Sequence, residues 1–151
     1  MKKRVLAILL TTIVLIGSGN GLKYAYAANT SDEPFRFVVA DNKGTFGKVN
    51  PRDKQNSTKV YVKVTSSPDL YTQVRTYGDR NTGKFYNETK SGLAVVRRGV
   101  PSSITNYCYE HRKANCSYVL VQIGLRSNSA SKGGVQGVWS PDSTRNYTVV
   151  N

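Results

Sequence analysis

The sequence predicts an all-β fold, a single antiparallel β-sandwich or small barrel that follows a cleaved signal peptide. Apolar and polar side chains alternate with a two-residue period in several segments, as expected when one face of a strand is buried. Clusters of Gly, Pro, Asn, Asp and Ser separate these segments at short intervals, and such clusters form turns. No sequence window shows a sustained helical stripe. Short strands with regular turns are typical of sandwiches and small barrels.

The clearest alternation lies in residues 58–65. Val60, Val62 and Val64 occupy one face of this segment, and we expect them to lie in the core. The opposite face carries lysine and tyrosine and should be exposed. Further predicted strands, rich in aromatic and β-branched residues, are 35–40, 70–77, 104–110, 117–125 and 146–150. Predicted turns are 50–53, 66–69, 78–83, 99–102 and 127–134. Residues 88–98 are the least regular segment and are compatible with one helical turn.

The first 27 residues have the three parts of a secretory signal. A positive head, Lys2-Lys3-Arg4, is followed by an apolar run at residues 5–16 and by a small-x-small cleavage site, Ala25-Tyr26-Ala27. The run is too short to span a bilayer, which takes about 20 residues. We therefore predict that residues 1–27 are removed and that the protein is secreted, either extracellular or associated with the cell surface.

The rest of the chain is strongly basic. We expect residues 28–34 to be a flexible N-terminus and residues 35–151 to form one β domain. The whole chain has 22 basic and nine acidic residues, and the signal holds four of the basic residues and none of the acids. Residues 28–151 therefore keep a net charge of +9. Outside a cell such a charge favours anionic partners, and we expect a wall polymer or a membrane surface, with nucleic acid less favoured.

Aromatic residues interleaved with cations predict a binding surface. Several tyrosines alternate with Lys or Arg on predicted outer strand faces. Such rings can stack on sugars or bases while the cations contact acidic groups; alternatively, tyrosine simply covers the sheet because of its strand propensity. The single tryptophan stands in GGVQGVWSPDS, where it is either packed over glycines in the core or forms a ring-stacking subsite. The predicted binding residues are Lys59, Tyr61, Lys63, Tyr71, Arg75 and Trp139.

The segment that contains the tryptophan ends in Ser140-Pro141-Asp142-Ser143, which predicts a tight turn with Asp and Ser capping backbone donors. Further residues of the C-terminal third are Val100-Pro101, Ile104-Thr105-Asn106-Tyr107, Tyr109-Glu110, Gly134 and Gly137. With these residues the chain resembles a domain-of-unknown-function family of small secreted proteins of Gram-positive bacteria, whose distinctive part is the W-S-P-D-S sequence. The resemblance runs from about Phe35 to that turn. It implies export and a compact, mostly β domain, and it brings no catalytic residues. A looser likeness to lactococcin-type bacteriocins implies an alternative function as a secreted antimicrobial or toxin.

The two cysteines predict a disulfide. Cys108 and Cys116 stand symmetrically about Arg112, so their sulfurs would face each other if the segment forms a hairpin. Secreted chains form such bridges, and closing so short a loop stabilises the fold by roughly 2.5 kcal/mol. One histidine and two cysteines do not supply a closed tetrahedral metal site. We predict neither a metal nor a cofactor.

The single histidine supports a second alternative, a small secreted hydrolase of nuclease type. His111 would be the general base, with Glu110 or Glu88 as its partner. However, neighbours in a strand point to opposite faces, which disfavours Glu110, and His111 falls near the predicted hairpin loop. We therefore predict a solvated histidine and no catalytic residue. The preferred hypothesis is a secreted cationic binding protein for an anionic component of the cell envelope.

Overall fold

The computed structural model describes residues 28–151, and the predicted signal at residues 1–27 lies outside this range. Residues 28–151 form eleven β-strands and no helix, so this part of the chain contains no helix able to cross a membrane. The strands build two mainly antiparallel sheets that are not closed into a barrel. The predicted all-β, sandwich-like fold is confirmed.

The two sheets take their strands from distant parts of the chain. In chain order the strands are β1 (Glu33–Val39), β2 (Gly47–Lys48), β3 (Arg52–Lys54), β4 (Val60–Ser66), β5 (Tyr71–Gly78), β6 (Tyr86–Asn87), β7 (Ala94–Arg97), β8 (Ser102–Ile104), β9 (Val119–Ser127), β10 (Gly133–Ser140) and β11 (Thr148–Val150). Sheet A has the order β1-β10-β4-β8-β11, and β8 and β11 pair in parallel. Sheet B has the order β2-β9-β5-β6, with β3 also paired with β9 and β7 with β5.

The core lies between the sheets and is built by the alternating strands. Val60, Val62 and Val64 of β4 are fully buried, as the alternation predicts. From sheet B, β5 and β9 contribute Val74 and Leu125 to the same cluster. Each buried side chain of this size contributes about 1.5–3 kcal/mol. The shared cluster of buried side chains therefore holds the two sheets together.

A β-bulge interrupts the pairing of β10 with β4 at Gln136 and Gly137. A Cβ atom at Gly137 would collide with the Lys63 carbonyl oxygen and lie 2.7 Å from the Phe35 ring. Glycine is required here because the backbone of β10 passes too close to β4 for a side chain. Two residues further on, Trp139 is 1% exposed. The indole is a core residue and not an open stacking subsite.

Three segments differ from their predicted structure. The strand predicted for residues 104–110 stops at Ile104, the last residue of β8, and turns follow. Part of the segment 88–98 forms β7 and no helical turn, because its alternate side chains are buried and it pairs with β5. The predicted turn at 50–53 runs into β3, because residues 52–54 pair with β9, and Lys54 at the end of β3 forms a buried ion pair.

The predicted disulfide between Cys108 and Cys116 is not formed, and both are free cysteines. The prediction assumed a hairpin centred on Arg112, whereas this segment is a series of turns. Cys108 points into the core against Gly78, and Cys116 is partly exposed, with its Sγ 3.7 Å from the Asn115 side chain. Burial raises the pKa of the Cys108 thiol to about 12. This sulfur is therefore an unreactive core atom.

Candidate anion-binding face

The six predicted binding residues do not form one surface. Trp139 lies in the core, and Tyr61 is 6% exposed because the Tyr147 ring stacks on it at a centroid distance of 4.8 Å. Burial also raises the pKa of Tyr61. Lys59 precedes β4, and Lys63 lies on the outer side of β4 next to Tyr61. The aromatic ring that lies beside the two lysines in sequence is thus covered and is not accessible to a ligand.

The other two predicted residues, Tyr71 and Arg75, lie together on the outer face of sheet B. Along β5 the side chains at positions 72, 74 and 76 are buried, so those at 71, 73, 75 and 77 face outwards. Tyr71 is 43% exposed. The alternating tyrosine and arginine side chains of β5 therefore do reach solvent.

Neighbouring strands add cations to the same face, because directly paired residues in a sheet project on the same side. Arg97 of β7 lies opposite the first outward residue of β5, and Arg126 of β9 lies opposite the second. Lys48 of β2 faces the third across Gly124 of β9. We call this surface the cationic face; its residues are Phe46, Lys48, Tyr71, Gln73, Arg75, Tyr77, Arg97, Gly124 and Arg126.

An aromatic ring orders the centre of the cationic face. The Cζ atoms of Arg75 and Arg126 lie 4.6 Å and 4.5 Å from the centroid of the Phe46 ring. Arg126 is fixed further, because its Nε donates to Gln73 Oε1 at 2.7 Å and its Nη1 donates to the Gly44 carbonyl at 2.9 Å. A cation–π contact at an exposed site contributes about 0.5–1 kcal/mol. These contacts position both arginines without neutralising their charge.

Arg75 carries a charge that no carboxylate neutralises within the described residues. It takes part in none of the ion pairs found in residues 28–151. Its Nε is buried and has no hydrogen-bond partner in that range. A buried donor left without an acceptor costs about 1–3 kcal/mol. Arg75 is therefore a cation of the face whose charge an added anion could neutralise.

Glycine keeps the cationic face open between its rings. A Cβ atom at Gly124 would lie 2.8 Å from the Tyr77 ring and 3.1 Å from the Phe46 Cβ atom. Without that atom, both rings lie over β9, and the Lys48 Nζ sits 4.7 Å from the centroid of the Tyr77 ring. The small residue thus allows aromatic and cationic side chains to share one flat surface.

Acidic side chains are kept off this surface. Residues 71–77 of β5, their partners in β7 and β9, and the two residues of β2 beyond β9 include no Asp or Glu. Asp53 lies opposite Leu120, beyond the end of the face. At the other end Asp69 is turned towards the Ser127 hydroxyl, whose hydrogen bond lowers the pKa of Asp69. The strands of the cationic face therefore present a single sign of charge.

The W-S-P-D-S sequence forms a buried polar centre and not a binding surface. Lys54 Nζ donates to Asp142 Oδ1 at 2.9 Å, to the Pro141 carbonyl at 2.7 Å and to the Thr58 carbonyl at 2.5 Å. An amine that donates to three acceptors carries three hydrogens, so Lys54 is an ammonium group. Burial lowers the pKa of Lys54, and the attraction of Asp142 opposes this. Both side chains are 0% exposed.

Asp142 also accepts backbone donors from distant parts of the chain. Its Oδ2 accepts from the Asn29 amide at 2.9 Å and from the Gln55 amide at 3.1 Å. The turn aspartate does cap backbone donors, as predicted, but these donors lie outside the turn. Asn29 belongs to the segment 28–34, whose predicted flexibility stays a prediction. Sequence reasoning missed Lys54, because nothing in the sequence distinguishes it from the surface lysines.

A second cluster of ionisable groups lies at the β6 edge of sheet B. The buried Glu88 accepts from Arg80 Nε at 2.5 Å, and its other oxygen lies 2.6 Å from His111 Nδ1. Because a carboxylate only accepts, Nδ1 donates, and in a neutral ring Nε2 would then be an acceptor. The His111 side chain is 46% exposed, and the Tyr107 ring lies 5.5 Å from it. Of the two partners considered from the sequence, Glu88 and not the adjacent Glu110 contacts the ring.

A family comparison covers most of the chain. Residues 23–143 match the family described as Protein of unknown function (DUF2712). The chain belongs to the DUF2712 family. The matched range ends at Ser143, so the DUF2712 region contains the cationic face, the His111 cluster and the W-S-P-D-S sequence. No curated protein and no solved structure is significantly similar to the chain. Between residues 28 and 151, no group of three or more His, Cys, Asp and Glu side chains could hold a metal ion.

Proposed function

We propose that this DUF2712 protein is a secreted binding protein for an anionic component of the cell envelope, and that the cationic face binds it. The observation that carries the proposal is Arg75, a guanidinium held over Phe46 with no carboxylate partner among residues 28–151. Hydrogen bonds to charged groups contribute about 1.5–3 kcal/mol each. An anion that binds the Arg75 guanidinium would supply the countercharge that the described residues do not.

Besides its charge, the fixed position of the arginines on the cationic face supports binding. Arg75 and Arg126 are already held against Phe46, so binding need not immobilise two long, flexible side chains. Each such side chain costs about 0.5–1.5 kcal/mol to order. A planar guanidinium also offers paired donors to carboxylate or phosphate oxygens. The face is thus arranged in advance for an oxyanion.

The cellular side of the proposal comes from the sequence. The signal-like residues 1–27 and the resemblance to small secreted proteins of Gram-positive bacteria support export. After export, the anions within reach are those of the wall and the membrane surface. The net charge of +9 for residues 28–151 favours contact with both.

The test is cosedimentation of residues 28–151 with purified Gram-positive wall material over a salt series. We expect binding at low salt that weakens steeply as salt screens the charges. Arg75→Gln should weaken binding about tenfold, equivalent to about 1.4 kcal/mol. Arg36→Gln is the matched control, because it removes one exposed charge from β1 of the other sheet. Absence of binding at low salt, or equal loss in the two variants, would contradict the proposal.

A second candidate function, hydrolysis of a phosphodiester, is favoured by the contact between Glu88 and His111. His111 Nε2 would take a proton from water, the water oxygen would bond to phosphorus, and the bond to the leaving oxygen would break. The imidazolium would then return its proton to the leaving oxygen. General acid–base catalysis of this kind contributes about 10²- to 10⁴-fold in rate. Glu88 would keep Nδ1 protonated and Nε2 free.

The hydrolase candidate is tested with an activated phosphodiester such as bis(4-nitrophenyl) phosphate. His111→Gln should abolish the release of nitrophenol, and Glu88→Gln should reduce it. Glu110→Gln should leave it unchanged, because Glu110 makes no hydrogen bond to His111 in the described structure. Circular dichroism of each variant separates lost chemistry from lost folding. A folded wild-type protein without activity, or with activity that survives His111→Gln, would remove this candidate.

A further inference from the structure

A buried carboxylate joins two exposed basic side chains at the β6 edge of sheet B. The Glu88 side chain is 2% exposed, and its two oxygens accept from Arg80 Nε at 2.5 Å and from His111 Nδ1 at 2.6 Å. The side chains of Arg80 and His111 are 40% and 46% exposed. Because both contact one carboxylate, they lie side by side at the surface.

The remaining nitrogens of these two side chains are free to bind. Neither the Nη atoms of Arg80 nor Nε2 of His111 makes a hydrogen bond within residues 28–151. The Arg80 Cζ lies 4.5 Å from the centroid of the Tyr86 ring, and the centroid of the Tyr107 ring lies 5.5 Å from that of His111. These contacts restrict both side chains, so a ligand need not order them.

His111 adds a charge to the cluster when it is protonated. With a neutral imidazole, the charges of Arg80 and Glu88 cancel. Protonation leaves two cations on one carboxylate and makes Nε2 a donor. Histidine is the side chain that ordinarily changes charge between about pH 5 and 8. The cluster therefore gains a positive charge and a free N–H group as the pH falls.

The other ionisable groups around His111 leave this added charge without a partner. Glu110 takes part in none of the ion pairs found in residues 28–151. Arg112 stacks on a tyrosine ring and donates to two backbone carbonyls. Asp79 accepts from two backbone amides, and the Cys108 thiol is uncharged because burial raises its pKa to about 12. A protonated His111 therefore shares the single carboxylate that contacts it.

The backbone that carries Arg80 is held in an unfavourable conformation. Arg80 and Asn81 have φ angles of 51° and 55°, and they are the two residues other than glycine with a positive φ between residues 28 and 151. This left-handed conformation is unfavourable for a residue with a side chain. Asp79 maintains it, because its Oδ1 accepts from the Asn81 amide at 3.0 Å and from the Leu120 amide at 3.2 Å. Strain of this kind concentrates at functional sites.

We infer that Arg80, Glu88 and His111 form a second anion-binding site, which binds an oxyanion once His111 is protonated. The oxyanion accepts from His111 Nε2 and from an Nη group of Arg80, while Glu88 holds the other nitrogen of each side chain. The site shares no residue with the cationic face, so the inference does not rest on that face. It also differs from the hydrolase candidate, because a general base needs a neutral Nε2, whereas this site binds more tightly as the pH falls.

The test uses NMR, because His111 is the single histidine of the chain and its Cε1 proton gives one resonance that follows protonation. The titration midpoint of residues 28–151 is measured in sodium chloride and, at equal ionic strength, in sodium dimethyl phosphate or sodium trifluoroacetate. Both organic anions stay ionised throughout. An anion that binds the protonated form raises the midpoint by linkage. We expect a rise of about 0.5 pH unit when the anion is present at about twice its Kd.

Variants locate the anion. Arg80→Gln should remove most of the rise, whereas Arg75→Gln and Arg36→Gln should keep it. Circular dichroism checks folding, and Arg80→Lys, which keeps the charge but loses the paired donors, should give a smaller rise if Arg80→Gln does not fold. Equal midpoints in chloride and in both organic anions, or a full rise in the Arg80 variants, would overturn the inference. Wall binding that depends on Arg75 would then leave the proposed function standing, and a rise without wall binding would do the reverse.

Discussion

Asp142→Asn should destabilise the protein by about 3–5 kcal/mol, the cost of removing one partner from a buried ion pair. The Lys54 ammonium is 0% exposed and would lose the countercharge that lies 2.9 Å away. The amide that replaces the carboxylate has one acceptor oxygen, whereas Asp142 receives Lys54 on one oxygen and the Asn29 and Gln55 amides on the other. Either orientation of the asparagine therefore sets its NH₂ group against a donor.

Urea denaturation measures this loss directly, because the single tryptophan is buried three residues from Asp142 and its fluorescence reports unfolding. Domains of this size have a total stability of about 5–15 kcal/mol, and the Tm should fall by roughly 10–20 °C. Asp32→Asn, the same change at an exposed acid, should stay within about 0.5 kcal/mol. The double variant Lys54→Met and Asp142→Leu should stay destabilised, because it leaves the Asn29 and Gln55 amides without their acceptor. A loss below about 1 kcal/mol in Asp142→Asn would refute this account of the W-S-P-D-S sequence.

Two further predictions concern the packing of β10 and the cysteines. Gly137→Ala should cost about 1–3 kcal/mol in the same assay, because its Cβ would collide with the Lys63 carbonyl; Gly134→Ala, where no atom lies within 4 Å, should be nearly neutral, and similar effects of the two changes would count against the bulge. Iodoacetamide at pH 8 should alkylate Cys116 in the native protein and Cys108 only after unfolding, because Cys108 is buried and its pKa is raised to about 12. Peptide mass spectrometry reads the labels, and protection of both thiols until a reductant is added would instead show a disulfide.

The sheet structure could be predicted where a strand has one buried face. The alternation around Val60, Val62 and Val64 gives both the strand and its inner side, because a two-residue period is a local property. The same period could not show that Tyr61 is covered. That depends on Tyr147, which reaches it from the C-terminal segment and stacks at 4.8 Å.

The candidate site was predictable only in part, for a related reason. Tyr71 and Arg75 follow from the alternation of β5. The remaining cations depend on which strands lie beside β5 and in what register, and the position of Arg126 opposite Gln73 is set across 53 residues of chain. The buried ion pair could not be predicted either, because Lys54 stands in a polar segment of the sequence and its burial depends on the contact with Asp142.

The symmetric spacing of the two cysteines also led to a wrong prediction. Cys108 and Cys116 are equidistant from Arg112, yet equal spacing pairs two residues only when strands flank the loop. Here turns rotate the first sulfur into the core and leave the second near the surface. Distance along the sequence was therefore a poor guide to distance in space.

The pairing of β1 with β10 in sheet A has a consequence for the order in which the protein can fold. β1 pairs along its length with β10, and the Asn29 amide bonds to a carboxylate 113 positions later. Contacts of such long range form late, since the intervening chain must first be available. In a nascent chain that lacks its final third, β1 has no β10 to pair with, and the Asn29 amide has no Asp142 carboxylate to accept its hydrogen bond. Sheet A therefore cannot be completed until β10 has been synthesised, and until then β1 lacks the backbone hydrogen bonds that β10 supplies.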